Sequence, residues 1–325
     1  LTKASLERIA AVLAAARTVV LTTHRSPDGD GLGACLGLAQ GLDKLGKEVT
    51  VFNADACPAA LAFLPGAGRL TDRLPAAADA AVVFDCAEPE RVADGLTARL
   101  AARDWIVLDH HATERDFTPL THNDPDAPAS AELALRVLKL LGAPLDAPTA
   151  TCLYAGLAVD TGTFRFSNAT ARAFAAAAEL TAAGANASEV AHFLFEEQPP
   201  AKLKLTAAVL ATLEVALAGK LCTLAADDAM LAATGAGPAE LDGLVNYPRA
   251  LAGCAVAALY FTGADGVVRV SLRTSIDAVD VESVARVFGG GGHKHAAGCS
   301  MPGPLPQARV RLAAEVERML ARVGA

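Results

Sequence analysis

The sequence predicts an α/β protein: a doubly wound parallel sheet followed by a smaller α+β domain. Three observations carry that prediction. Short, unbroken apolar runs alternate with helical stretches through the first half, and such runs suit strands covered on both faces by helices. Beyond residue 125 the chain turns helical, until a double proline at Pro199-Pro200 interrupts it. The last third returns to strand-like runs and closes on a glycine cluster and one helix. The expected boundaries are 1–195 for the first domain, 196–206 for a linker and 207–325 for the second domain.

Each element has a local reason. LTKASLERIAAVLAAARTVV opens as an amphipathic helix with Glu7 and Arg8 inside it, and lacks the basic-then-apolar order of a signal peptide. TVVLTTH is the first strand. GACLGLAQGLDKLG follows as a helix, with apolar positions three and four apart and a closing Gly. EVTVFNAD, AAVVFDCAE and DWIVLDHH are the next strands. PASAELALRVLKLLGA, TATCLYAGLAVD and TARAFAAAAELTAAGA read as three helices, and SEVAHFLFEE as a fourth. After a helix to about residue 217 come the strands KLCTLAA, CAVAALYFT and GVVRVSLRT, the glycine-rich FGGGGHKHAAG, and a last helix.

Composition narrows the function classes. A chain of 325 residues has room for two domains that each bury a core. It is 53% hydrophobic and 20% charged, with mean hydropathy +0.34, which fits a folded globular protein. No apolar run of membrane-spanning length lacks a charge or a breaker. Seven cysteines, an odd number without a C-x-x-C pair, point to a reducing cytoplasm and no disulfide framework. A net charge of −8 argues against coating long nucleic acid through counterion release. The acidity is uneven. Residues 206–325 hold 10 Lys and Arg against 11 Asp and Glu, whereas residues 1–205 hold 18 against 25. The acidic excess lies where a cation can use it.

The stretch TVVLTTHRSPDGDGLG, residues 18–33, raises the functional question. Ser-Pro-Asp-Gly is by itself a turn signal, but a turn does not explain His24 just before it or the pair Asp28 and Asp30. Further strand ends carry the same residue types: AAVVFDCAE supplies Asp85, and DWIVLDHH supplies Asp109, His110 and His111. The helix TCLYAGLAVDTG ends on Asp160. Any one of these has an ordinary reading, since Asp after a strand is often a helix cap and paired histidines often sit on a surface; His122 and His192 are of that ordinary kind. In an open α/β sheet, however, strand ends face one crevice, so the whole set converges there. Asp and His together suit Mn(II), Fe(II) or Zn(II) and disfavour a purely thiolate or bare Ca(II) site. Several carboxylates on one rim are better neutralised by two divalent ions than by one. Ions paired at roughly 3.5–4 Å are a common clamp for in-line attack at phosphorus.

These residues resemble the DHH phosphoesterases, named for the triplet that stands here as Asp109-His110-His111. THRSPDGDGLG, VVFDCAE, VLDHHAT and GLAVDTGTFRFSN fit the family's four motifs in order, and GGGGHKHAAG resembles the glycine-histidine motif of the DHH-associated domain. The resemblance runs from about residue 15 to 323, and the layout is most similar to the small nano-RNase and pAp-phosphatase branch, the NrnA-like proteins. It implies His24 and Asp28 on one metal, Asp30, His110 and Asp160 on the other, and Asp85 bridging them. It implies Asp109 orienting a histidine of the triplet and His111 facing the scissile phosphate. The implied cofactor is a pair of divalent ions, Mn(II) ahead of Mg(II) or Co(II).

In the second domain, Gly290, Gly291 and Gly292 offer backbone N–H groups to a phosphate, with His293 as a further donor. Arg273 offers a fork for a terminal phosphate; Arg249 and Asn246, in GLVNYPRA, are candidates of the same kind. The expected substrates are short RNA oligonucleotides cut to mononucleotides, or pAp cut to AMP, held between two lobes. Expected too are no membrane partner, no long duplex nucleic acid and, as an assembly, a homodimer. The alternatives are a phosphodiesterase for cyclic or linear dinucleotides (c-di-AMP, pApA, pGpG), a pyrophosphatase or exopolyphosphatase, and a nucleotide-binding module that no longer cuts.

Overall fold

A computed structural model describes residues 4–86, 89–93, 95–111 and 118–324. The chain divides into two compact units, Leu1–Glu197 and Gln198–Ala325.

The first unit begins with α1 (Leu6–Ala15), capped by the Ser5 side chain, and β1 (Thr18–Thr23). It continues through α2 (Gly29–Lys44), β2 (Glu48–Phe52), a two-residue β3 (Leu70–Thr71) and β4 (Ala77–Phe84). Short α3 (Pro89–Val92) and α4 (Leu96–Arg99) lead to β5 (Ala101–Asp109) and β6 (Leu120–Asn123). Four helices follow: α5 (Ser130–Leu140), α6 (Ala147–Asp160), α7 (Ala171–Ala182) and α8 (Ala187–Ala191).

All six strands are parallel, in the order β3-β2-β1-β4-β5-β6. This is the doubly wound order expected, and it reverses between β1 and β4, where such sheets hold ligands. The apolar runs behave as read: Val19 and Leu21 enter one core, and Val20, between them, enters the core on the other face. The larger core packs α2 directly on α6. A Cβ on Gly33 would stand 2.5 Å from the carbonyl oxygen of Cys152, and one on Gly156 would stand 3.2 Å from the Cα of Asp30. That approach brings the start of α2 and the end of α6 to the same rim of the sheet.

The second unit comprises α9 (Pro200–Leu210), β7 (Glu214–Ala216), β8 (Leu221–Asp227), α10 (Asp228–Thr234) and α11 (Asn246–Arg249). Then come β9 (Val256–Thr262), β10 (Val267–Arg273), α12 (Val281–Val287), β11 (Gly291–His293), β12 (Ala296–Pro302) and α13 (Leu305–Val323). Its sheet runs β11-β12-β10-β9-β8-β7, antiparallel except for β8 with β9. One face packs on residues of α12 and α13, and the β8–β9 part of the other on residues of α9 and α10.

Several elements differ from the expectation. The segment read as a linker is partly helix: α9 starts at the second proline, which suits a first turn that needs no N–H there. It ends at Leu210 rather than near 217, and β7 occupies the difference. SEVAHFLFEE changes from α8 into a π-helical turn at His192–Glu196. The glycine cluster enters a β-hairpin, β11 with β12, despite the low strand propensity of glycine. A Cβ on Gly290 would stand 2.1 Å from the carbonyl oxygen of Gly298, so the hairpin demands the small residue.

Candidate metal centre

The switch point of the first sheet collects the polar residues. Thr23 on β1 is in register with Phe84 on β4, and Phe84 with Leu108 on β5. His24, Asp85 and Asp109 therefore stand side by side at three adjacent strand ends. Asp28 and Asp30 enter from the N-terminus of α2, where the Asp28 carboxylate accepts from the Gly31 N–H at 3.0 Å. Asp160 enters from the last position of α6.

Asp85 is the centre of the arrangement. Its Oδ2 lies 3.4 Å from His24 Nε2, and its Oδ1 lies 3.4 Å from His110 Nε2 and 3.6 Å from His111 Nδ1. The His24 imidazole also meets Asp28 at 3.9 Å. That of His110 meets Asp160 at 3.5 Å and Asp30 at 3.8 Å. Two sets of donors with metal-ligand chemistry thus flank one carboxylate: His24, Asp28 and Asp85 on one side, Asp30, His110 and Asp160 on the other. Asp85 itself has φ +56°, a left-handed conformation rare for a residue with a side chain.

Each imidazole is turned by its other nitrogen. His24 Nδ1 donates to the carbonyl of Arg25 at 2.7 Å, and His110 Nδ1 to that of Ala127 at 3.3 Å, so both present Nε2 to the carboxylates. This is how metal-binding histidines are commonly oriented. His111 is turned the other way: its Nδ1 donates to Asp109 Oδ1 at 2.7 Å. That oxygen also accepts from the His110 N–H at 2.9 Å, so Asp109 organises the triplet from beneath.

The charges show what the cluster favours. Burial raises Asp28, and the Asp85 charge raises it further. Asp30 is pushed well above the usual carboxylate range by burial and by Asp85 and Asp160. Burial, opposed by His110, carries Asp160 up to about 6. Burial would lower the His24 imidazole, but Asp85, the Arg25 carbonyl and Asp28 lift it to about 9. In the same way Asp85, Asp30 and Asp160 overcome burial and lift His110 to about 10. Asp85 moves down instead: the attraction of His110, His24 and His111 outweighs its burial. Its Oδ1 is buried yet makes no hydrogen bond. Mutually repelling carboxylates, imidazoles drawn toward the cationic form and an orphaned carboxylate oxygen all fit a centre built for divalent cations.

Two amides belong to this rim that sequence reasoning did not single out. Asn53 Nδ2, at the end of β2, donates to the carbonyl of His24 at 2.9 Å. Asn168 Nδ2 donates to the carbonyl of Asp160 at 3.1 Å and to its Oδ2 at 3.3 Å. For Asn53 the signal was present, a polar residue just after a strand; for Asn168 only its place in GLAVDTGTFRFSN hints at a role. The histidines given no role stay outside: His122 Nδ1 is held by the Ala4 carbonyl at 2.8 Å, and His192 lies beside Glu196 and Glu197.

The second-unit residues form a looser set. Arg273 lines a cavity of about 650 Å³ with Arg269, Ser271, Leu259, Phe261 and Asp242. Gly290 lines an adjoining one of about 550 Å³ that shares Arg269 and Ser271. Burial depresses the Arg273 guanidinium, Asp242 opposes this, and nearby Arg249 adds to it. The Gly290 N–H is committed to the Ala285 carbonyl at 3.0 Å, so it is no phosphate donor here. Gly291 and Gly292 pair with Gly298 and Ala297. Asn246 is exposed on α11 and lines neither cavity. The side chain of His293 lies outside the described residues.

Comparison with known proteins gives the family and the fold. The family model described as "DHH family, N-terminal domain" matches residues 18–157, and that for the DHHA1 domain matches residues 225–322. The bifunctional oligoribonuclease and PAP phosphatase NrnA of Thermus thermophilus is 34% identical over 311 residues, covering 94% of this chain and 91% of the relative. The protein of the same name from Bacillus subtilis is 27% identical, covering 87% and 89%. In fold, an exopolyphosphatase-related protein from Bacteroides fragilis matches with TM-score 0.92 at 22% identity, over 98% of this chain and 97% of the other.

Proposed function

This chain belongs to the DHH family, and from that premise we propose that it is a metal-dependent phosphoesterase that cuts short oligoribonucleotides to mononucleotides and pAp to AMP. One observation carries the reading: the two oxygens of a single buried carboxylate, Asp85, face two separate Asp/His sets at the switch point of the sheet. His24 and Asp28 would hold one divalent cation, Asp30, His110 and Asp160 the other, and Asp85 both, with Mn(II) suiting the mixed donors best. Such a pair, when bound, supplies a nucleophilic water near neutral pH and offsets charge on the phosphate. The chain's own residues do the rest. Asp109 accepts the Nδ1–H of His111 at 2.7 Å and, with Asp85, favours the cationic imidazole, whose second N–H, at Nε2, would donate to a phosphate oxygen. Arg273, in the wall of the cavity beside β10, takes a terminal phosphate. The free cysteines fit a reducing cytoplasm, and the net charge of −8 gives long nucleic acid little attraction.

The test is product analysis over di- to pentanucleotides, a thirty-mer, pAp, cyclic di-AMP and pyrophosphate with Mn(II), Mg(II) and Co(II). Mononucleotide release that falls steeply with length, and AMP from pAp, support the reading. Comparable rates on a dinucleotide and the thirty-mer, or fastest turnover of pyrophosphate, defeat it.

A further inference from the structure

We propose that the backbone segment Ala127–Ala131, together with Asn168, is a shared outer support for Asp30, His110 and Asp160, and makes that set the tighter of the two cation positions. The inference rests on the reading of the centre as a two-cation site.

Every member of the set is fastened to this one stretch. His110 Nδ1 donates to the Ala127 carbonyl. The Ser130 and Ala131 N–H groups, opening α5, donate to Asp30 Oδ2 at 2.6 Å and Oδ1 at 2.9 Å. Asp160 is reached through Asn168, whose Nδ2 donates to the Pro128 carbonyl at 2.9 Å as well as to Asp160. An amide is required at 168 because it faces two carbonyls and a carboxylate, which only accept.

The stretch is itself anchored. The Asp124 N–H donates to the Asp109 carbonyl at 2.9 Å, and the Ala127 N–H to the Asp124 carbonyl at 2.9 Å. Arg172 on α7 clasps Asp124 at 2.8 Å and Glu132, in the first turn of α5, at 2.9 Å. Asn168 is constrained from the other side. Gly162, Thr163 and Phe164 take φ of +56°, +58° and +60°, and the Asn168 amide ties the end of this left-handed turn back to Asp160.

Among the described residues the opposite set has fewer side-chain supports, although the His24 carbonyl accepts from Asn53. His24 leans on the carbonyl of its own neighbour Arg25, and Asp28 caps its own helix. The Asp30 side chain is fully buried, and that of Asp28 is less so. A carboxylate held at both oxygens by backbone N–H groups needs no reordering when a cation arrives, so less ordering is left to complete on binding.

Manganese titration followed by the EPR signal of free Mn(II) tests this on the intact chain, with circular dichroism to check folding. Wild type should show two affinity classes. Asn168→Ala should weaken the tighter class by about 10–100-fold, the usual effect of losing an outer partner, and leave the weaker class in place. Should that variant not fold, Asn168→Ser, which keeps one donor, should show a smaller loss in the same class. Equal affinities in wild type, an unchanged tight class in a folded variant, or equal weakening of both classes overturns the inference. Wild type that binds no Mn(II) instead overturns the reading of the centre itself.

Discussion

The two units carry their polar residues in opposite ways. In the first, His24 and His110 from two strand ends, Asp28 and Asp30 at the start of α2 and Asp160 at the end of α6 crowd around one buried carboxylate at a third strand end, at a cost in mutual repulsion. In the second, Arg273 stands half-buried in the wall of a cavity, and its neighbour Arg269 is already paired with Asp265 at 2.7 Å. A cluster that repels itself specifies its ligand closely, because only cations of sufficient charge relieve it. A single half-buried guanidinium asks only for an anion. The first unit is accordingly read as the place of chemistry, and the second as a place of grip.

Substitutions sharpen or break that contrast. Asp85→Ala has the largest expected effect. It removes the residue common to both sets, so kcat on a dinucleotide should fall on the order of a thousandfold, the upper end for one lost transition-state contact, even with Mn(II) added. Steady-state kinetics of a folded variant decide it, and turnover close to wild type would refute the role of Asp85. Arg273→Ala should do far less. Loss of one charge-assisted hydrogen bond to a phosphate should raise KM for short oligonucleotides about tenfold while kcat changes little. An unchanged KM removes Arg273 from the site, and a kcat loss as large as that of Asp85→Ala would erase the difference between the units.

Much of this was legible in the sequence because it is local. Apolar runs such as AAVVF have one physical solution, a strand covered on both faces, and polar residues placed just after them reach the crevice automatically. That is why residue order alone places His24, Asp85 and the Asp109 triplet at strand ends. The short strands β3, β6 and β7 are not legible in this way, since two to four residues carry too little pattern to separate from a turn. Gly290 departs from its sequence reading for a different reason. Gly290 looks like a phosphate cradle in isolation, but its N–H belongs to Ala285 and its missing side chain to the approach of Gly298. Least legible were the supports of Asp30, His110 and Asp160. Backbone carbonyls and N–H groups at 127–131 leave no residue-type signature, and Asn168 gains its meaning only when α6 and α5 are brought together.

The most direct test of the central claim is anomalous diffraction at the manganese edge from crystals of active protein grown with Mn(II). The account predicts two peaks on either side of Asp85, one among Asp30, His110 and Asp160 and one beside His24 and Asp28. A single peak, or manganese bound away from Asp85 in a protein that still cuts, would contradict it.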